Sequence, residues 1–204
     1  MTPGPDLVLK TVPGTLVKIA SISSGNTFRA VYWTDGKREA PMMPDEPWLR
    51  CQPDTGELFW TDECEKVARV DCDDQTYDHV PHAEEPSWVD YQEALKTGLG
   101  GSKEKEHYIR LRYWWVGNDP IRRGEVTIPK IPDFNGNLLK LRALLDPGIL
   151  DQRLMAIEIS RELRDFQAAE LLLDYLFPEE YKGTVDLLRK LIAEKDHLVR
   201  KFHG

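Results

Sequence analysis

The sequence predicts an α+β protein: a small β-rich domain over residues 1–85, followed by an all-helical antiparallel array over residues 86–204. Two periodicities carry this division. Before residue 85 the apolar residues come in short β-branched and aromatic runs broken by Gly, Pro, Asn and Asp, the pattern of strands and turns. From Ser87 onward they recur at spacings of three and four, the pattern of helices with one buried face. Charge follows the same division. Residues 45–93 hold fifteen acids and three bases, whereas residues 101–204 hold seventeen acids and eighteen bases.

In chain order, Met1 to Pro5 reads as a loose arm. Residues 15–24 and 27–34 read as strands joined by a tight turn at Gly25-Asn26, and Asp35-Gly36 turns the chain again. The prolines between Pro41 and Pro47 force an extended path. Residues 47–51 and 56–60 then flank a turn at Pro53-Asp54-Thr55-Gly56. Residues 62–86 are acidic and read as an irregular solvated loop. Ser87 caps a helix with Trp88, Tyr91 and Leu95 on one face. Gly98 to Ser102 is a corner, and Lys103 to Val116 is a second helix stopped by Gly117. Residues 118–134, with three prolines, read as extended. Asn137 is expected to cap a short helix carrying Leu138, Leu141 and Leu145, and Tyr181 to Phe202 reads as the final helix.

Leu150 to Leu176 is the stretch around which the helical part is organised. Asp146 and Pro147 supply a start signal. Leu150, Leu154, Ile157 and Arg161 then mark one stripe, with Glu158 reaching Arg161 on the solvent side. A second helix carries Ala169, Leu172, Leu173 and Leu176 and is ended by Pro178. The corner between them, Arg164-Asp165-Phe166 with Ala169 three residues later, resembles that of the tetratricopeptide (TPR) repeat. Arg164 stands where that family usually has glycine, Ile157 where it has a small residue, and Pro178 falls about three residues early for the ~34-residue period. The resemblance implies TPR-like packing of the helical array.

The Pro-rich turn sits where the first half of a zinc ribbon would carry its C-x-x-C knuckle, with Asp54 in place of the second cysteine. Together with Trp33-Thr34-Asp35-Gly36 and Phe59-Trp60, it is similar to a group of bacterial proteins of unknown function with a degenerate zinc-ribbon-like N-terminal segment. That likeness implies no particular activity. Cys51, Cys64, Cys72, His79 and His82 could supply zinc ligands, but no C-x-x-C pair anchors them. In a calcium loop beginning at Asp71, the sixth and twelfth positions hold Thr76 and His82 instead of glycine and glutamate. No metal and no cofactor are therefore expected.

Nucleophilic and phosphate chemistry lack their motifs, and the acids around Cys64 disfavour its thiolate. The densest aromatic and basic stretch is Tyr108 to Arg123, and the candidate binding residues are Trp114, Trp115, Asn118, Arg122 and Arg123. Trp114 either packs against the N-terminal domain or is partly exposed for a partner. Arg110, Arg112, Arg122 and Arg123 are expected to pair with the acidic 45–93 segment. Net charge of −8 argues against nucleic acid, with single-stranded RNA on the aromatics as a lesser option. No apolar run approaches the ~20 residues of a membrane span, and three cysteines suit a reducing, cytoplasmic compartment. The expected function is a non-enzymatic protein-interaction module with an unidentified protein partner. The alternative is an enzyme or metal-binding protein with its site at the domain junction.

Overall fold

The computed structural model describes residues 1–71, 73–125 and 130–202. Its strands are β1 (Thr2–Pro3), β2 (Asp6–Lys10), β3 (Leu16–Ile19), β4 (Ile22–Ser24), β5 (Val31–Tyr32), β6 (Arg38–Glu39), β7 (Leu49–Cys51), β8 (Leu58–Trp60) and β9 (Glu65–Val70). Its helices are α1 (Trp88–Lys96), α2 (Lys103–Arg122), α3 (Phe134–Leu144), α4 (Leu150–Glu162), α5 (Phe166–Leu173) and α6 (Lys182–Ala193). This is an α+β arrangement, with antiparallel strands early and helices late. Two compact units result: residues 1–30 with 39–94, and residues 31–38 with 95–204. Residues 31–38 thus belong with the helices, and most of α1 belongs with the strands.

In the first unit β2 is central, flanked by β3 and β9. Leu7 faces Ile19 and Leu9 faces Val17 across the β2–β3 ladder. The chain reverses between them at Pro13-Gly14, where Gly14 takes φ +98, a conformation open to glycine at little cost. Leu9, Val17, Ile19 and Phe59 form the buried cluster beside this sheet. The expected hairpin at Gly25-Asn26 is absent, because β3 pairs with β2 while β4 pairs with β1. The Asn26 amide instead donates to the Met42 carbonyl at 3.2 Å. β9 lies inside the stretch read as an irregular loop. Its side chains are mostly exposed, so an edge strand with charges outward carries no apolar alternation to reveal it. The turn at residues 53–56 forms as expected, with β7 and β8 paired from Leu49↔Trp60 to Cys51↔Leu58. Ser87 and Asp90 cap the start of α1 reciprocally, the Ser87 amide donating to Asp90 Oδ2 at 2.7 Å.

In the second unit α2 is twenty residues long and passes through both Gly117 and Pro120. Gly117 is a packing glycine here, not a stop: a Cβ would lie 2.5 Å from Phe134 Cε2 and 2.7 Å from Ile131 Cδ1. Ser102 caps the helix, its Oγ accepting from the Lys105 amide at 3.2 Å. Residues 118–122 are therefore helical, not extended. Residues 126–129 of that expected segment lie outside the described residues.

Asn137 sits inside α3, not at its cap. Buried, it accepts from Arg110 Nη1 at 3.3 Å and donates to the Arg110 carbonyl at 3.0 Å, tying α3 to α2. α4 starts at Leu150, later than Asp146 signals, because Asp146 Oδ1 is taken by the Gly148 amide in a local turn. At its end the Asp165 amide reaches back to the Ser160 carbonyl and Arg164 takes φ 62. That is the left-handed closure at which glycine is the usual residue. α5 ends at Leu173, before Pro178, and Leu176 is 92% exposed. α6 ends at Ala193, with Lys195 at φ 53, so residues 194–202 do not continue it. They pair back instead: the Thr34 amide donates to the Arg200 carbonyl and the Phe202 amide to the Tyr32 carbonyl, both at 2.8 Å.

Two apolar clusters hold this unit. Trp114, Phe134, Leu138, Leu141, Ala156 and Ile159 form one. Ile157, Ala169, Leu173, Val185, Leu188 and Ile192 form the other. Neither expectation for Trp114 holds, since it is fully buried among helices of its own unit.

Candidate functional site

On α2, Asn118 follows Trp114 by four residues and Trp115 by three, and Arg122 follows Asn118 by four; all four turn toward the hairpin at Asp35-Gly36 or toward α4. The hairpin is short. β5 and β6 flank it, the Trp33 amide donates to the Lys37 carbonyl at 3.0 Å, and Gly36 takes φ +80. This turn pushes Asp35 into the helical unit, where its carboxyl is wholly buried. Asp35 accepts from Arg122 Nη2 through Oδ2, from Asn118 Nδ2 at 3.0 Å, and from the Lys37 amide at 3.1 Å. Trp115 Nε1 donates to the Asp35 carbonyl at 3.0 Å.

Arg122 Nη1 donates to the Trp115 carbonyl at 2.7 Å and to Asp119 at 2.6 Å. Lys37 Nζ reaches the same Asp119 oxygen at 2.5 Å. Arg122 also lies 5.6 Å from the centre of the Trp33 ring.

The opposite wall comes from the last turns of α4. Glu158 and Arg161 pair as their spacing suggests, but on the buried side, with side chains 1% and 0% exposed. Arg161 Nε donates to Glu158 Oε2 at 2.8 Å. Nη1 donates to the Asp196 carbonyl at 2.5 Å, and Nη2 to Glu158 Oε1, to the Leu198 carbonyl at 2.9 Å and to Thr34 Oγ1 at 3.4 Å. A buried guanidinium with its donors matched this way remains charged. Burial opposes that charge, yet the Glu158 carboxylate holds the Arg161 pKa above its ordinary value.

Glu162 completes the cluster. Trp114 Nε1 donates to it at 2.9 Å, and Asn118 Nδ2 spans both oxygens at 3.1 and 3.2 Å. Three buried carboxyls, on Asp35, Glu158 and Glu162, thus face two guanidiniums, on Arg122 and Arg161. Glu162 is the one whose hydrogen-bond donors are both neutral groups. Burial, then the neighbouring Glu158 and Asp35 carboxylates, push its pKa well above the usual 4.5, which favours its protonated form. Burial also raises Asp35, against the pull of Arg122.

Beside Glu162 opens a cavity of about 390 Å³, within the range of small-ligand sites. Asn118, Glu162 and Phe134, all buried, are on its wall; Asp133, Asn135 and Arg164, all exposed, stand at its rim. Asn118 Oδ1 is buried and has no hydrogen-bond partner. Asp133 and Arg164 both take positive φ, at 52 and 62, without being glycine. Backbone strain of this kind collects at ligand sites. Arg164 Nη2 meets His197 Nε2 at 3.0 Å. Arginine has only donors, so Nε2 accepts and the ring is neutral. Burial, then the Arg164 charge, holds the His197 pKa below its ordinary value.

The expected binding residues therefore separate. Trp114, Trp115, Asn118 and Arg122 form one buried network, while Arg123 is exposed and pairs with Glu125 at 2.5 Å. Arg110 pairs with Glu106 at 2.7 Å, on its own helix. The partners of Arg110, Arg122 and Arg123 are thus Glu106, Asp35 with Asp119, and Glu125, none of them in the acidic 45–93 segment that bulk charge suggested. Sequence reading missed Asp35, Glu158, Arg161, Glu162, Arg164 and His197. The one signal for them was Arg161 on an otherwise apolar stripe.

The possible metal ligands belong to the first unit. Cys51 Sγ contacts the Gln52 carbonyl, Cys64 Sγ the Trp60 carbonyl, and His82 pairs with Asp6 at 2.8 Å; Cys72 lies outside the described residues. Burial, then nearby carboxylates, raises both the Cys51 and the Cys64 thiol. Among the described residues no group of three or more His, Cys, Asp or Glu is placed to hold a metal ion. Nor is any described helix long and apolar enough to cross a membrane. The chain matches no protein-family model, no curated protein and no solved structure.

Proposed function

We propose that the chain is a non-enzymatic protein-interaction module, in which the cavity of the helical unit receives a side chain from a protein partner. The observation that carries this reading is the cavity with Asn118 on its wall, a buried side chain whose Oδ1 has no hydrogen-bond partner. Such an atom costs about 1–3 kcal/mol when unpaired, and a donor brought within its reach would remove that cost. The strained rim residues Asp133 and Arg164 are a second support.

One observation favours an enzyme instead: a buried acid with a raised pKa beside a cavity suits general acid catalysis. Against it, both Glu162 oxygens are already held by Trp114 and Asn118, as in a positioned structural acid. Affinity capture with the parent and with Ile121→Trp, which fills the cavity from its α2 side, tests the interaction reading. Proteins retained by the parent and lost by the variant support it. Identical retention by both, or retention by neither, overturns it.

A further inference from the structure

We infer that the cavity of the helical unit binds a free α-amino acid with an apolar side chain. Two opposite charges at its rim specify the class. The Arg164 guanidinium is placed there by His197, which lines the same cavity: Nη2 donates to Nε2 at 3.0 Å. The Asp133 carboxylate is placed there by Gly136, another lining residue, whose added Cβ would collide with Asp133 Oδ1. Among the described residues neither side chain has an oppositely charged partner, and the two stand beyond ion-pair distance of each other. A zwitterion supplies both partners. Its carboxylate takes the uncommitted donors of the Arg164 fork, and its ammonium donates to Asp133. Both rim residues are held at positive φ, 52 for Asp133 and 62 for Arg164. L residues resist that backbone, and it persists where the surroundings fix a side chain in place, as at ligand clamps.

The third feature is the apolar part of the wall: Ile121 from α2, Ile131 ahead of α3, Phe134 at the start of α3, and Leu163 at the end of α4. In an α-amino acid the carboxylate, the ammonium and the side chain spring from one carbon. One small molecule can therefore meet both rim charges while its side chain is buried against these four residues. A fatty acid leaves Asp133 unpaired, an amine leaves Arg164 unpaired, and a residue within a peptide chain carries neither charge. Glu162 takes no part, because its carboxyl already accepts from Trp114 and Asn118. The inference goes beyond the interaction reading and does not depend on it; a free amino acid and a partner's side chain would compete for one cavity.

The test is calorimetric titration of the full chain at about pH 7, where both ends of a free amino acid are charged. The probes are L-leucine, L-leucine amide, which lacks the carboxylate, N-acetyl-L-leucine, which lacks the ammonium, and N-acetyl-L-leucine amide, which lacks both. Leucine should bind with a Kd below about 1 mM, and at least about tenfold more tightly than either singly blocked analogue. Arg164→Gln, shown to be folded by circular dichroism, should lose the preference over leucine amide and keep that over N-acetyl-leucine. Asp133→Asn should do the reverse. Weakening of all four ligands alike in either variant overturns the pairing, and if a variant does not fold, the analogues on the parent chain decide. No binding of leucine at about 10 mM, or equal affinity for leucine and either singly blocked analogue, overturns the assignment. The doubly blocked analogue binding as tightly as leucine also overturns it, in favour of a residue within a partner's chain. If leucine fails while Ile121→Trp still loses a captured protein, the interaction reading stands and the amino acid falls alone. If leucine binds as described while Ile121→Trp captures what the parent does, the interaction reading falls alone.

Discussion

Glu162 and Arg164 lie two residues apart, and each holds a state that its residue type resists. For Glu162 that state is the protonated acid. Its folded pKa stands above the unfolded value, so the folded state binds more protons than the unfolded state between the two. Stability therefore falls as pH rises from near 4.5 toward the folded pKa. Glu162→Gln lacks this loss, so its unfolding free energy minus the parent's should grow between about pH 5 and pH 8. Urea unfolding at both pH values checks it, and parallel parent and variant values would show Glu162 to be ionised in the fold. For Arg164 the resisted state is φ 62. Arg164→Gly should raise stability by about 1 kcal/mol, read as a higher melting temperature, while weakening any ligand held at the rim. A lower melting temperature would mean that the contact with His197 outweighs the backbone strain.

At the scale of elements, α2 shows how packing overrides a local signal. Gly117 and Pro120 both read as helix terminators, and the helix passes through them. Phe134 and Ile131 need the space that only glycine leaves at position 117. Replacing a mid-helix glycine with alanine ordinarily gains about 0.5–1 kcal/mol. Gly117→Ala should instead destabilise, by about 1–3 kcal/mol, through the collision with Phe134. A denaturant midpoint unchanged or raised would place the α2–α3 contact elsewhere. The α4–α5 corner was more legible, because Asp165-Phe166 and the small Ala169 specify a cap and a close approach. Ala169 is fully buried, and Ala169→Glu should cost about 3–5 kcal/mol. Thermal unfolding equal to the parent's would contradict that burial. β9 and the missing hairpin at Gly25 illustrate the reverse case. Strand partners far apart in sequence, β2 with β9 and β1 with β4, leave no local trace in either member.

At the scale of the whole molecule, the decisive feature is that residues 31–38 belong to the helical unit. A fragment of residues 86–204 would keep α2 to α6 but lose Asp35, leaving the buried Arg122 with Asp119 and without its buried carboxylate partner. Removing one partner of a buried pair costs about 3–5 kcal/mol. That fragment should be helical yet exchange its α2 and α4 amides faster than the full chain does. Hydrogen exchange at equal rates in both would show that the hairpin contributes nothing.

The sequence by itself determined the fold class, the order of strands before helices, the turns at Asp35-Gly36 and residues 53–56, and the existence of α4 and α5. Each of these rests on periodicity or turn chemistry within a few residues, which a linear chain displays. Only the tertiary structure decided which charges are inside. Glu158 and Arg161 have the spacing of a surface ion pair, and Asp35 has the chemistry of a surface turn. They are buried because Arg161 finds carbonyls at residues 196 and 198, and Asp35 finds Asn118 and Arg122. A charge becomes tolerable in the interior when partners from distant segments meet it there, and no local pattern records those meetings.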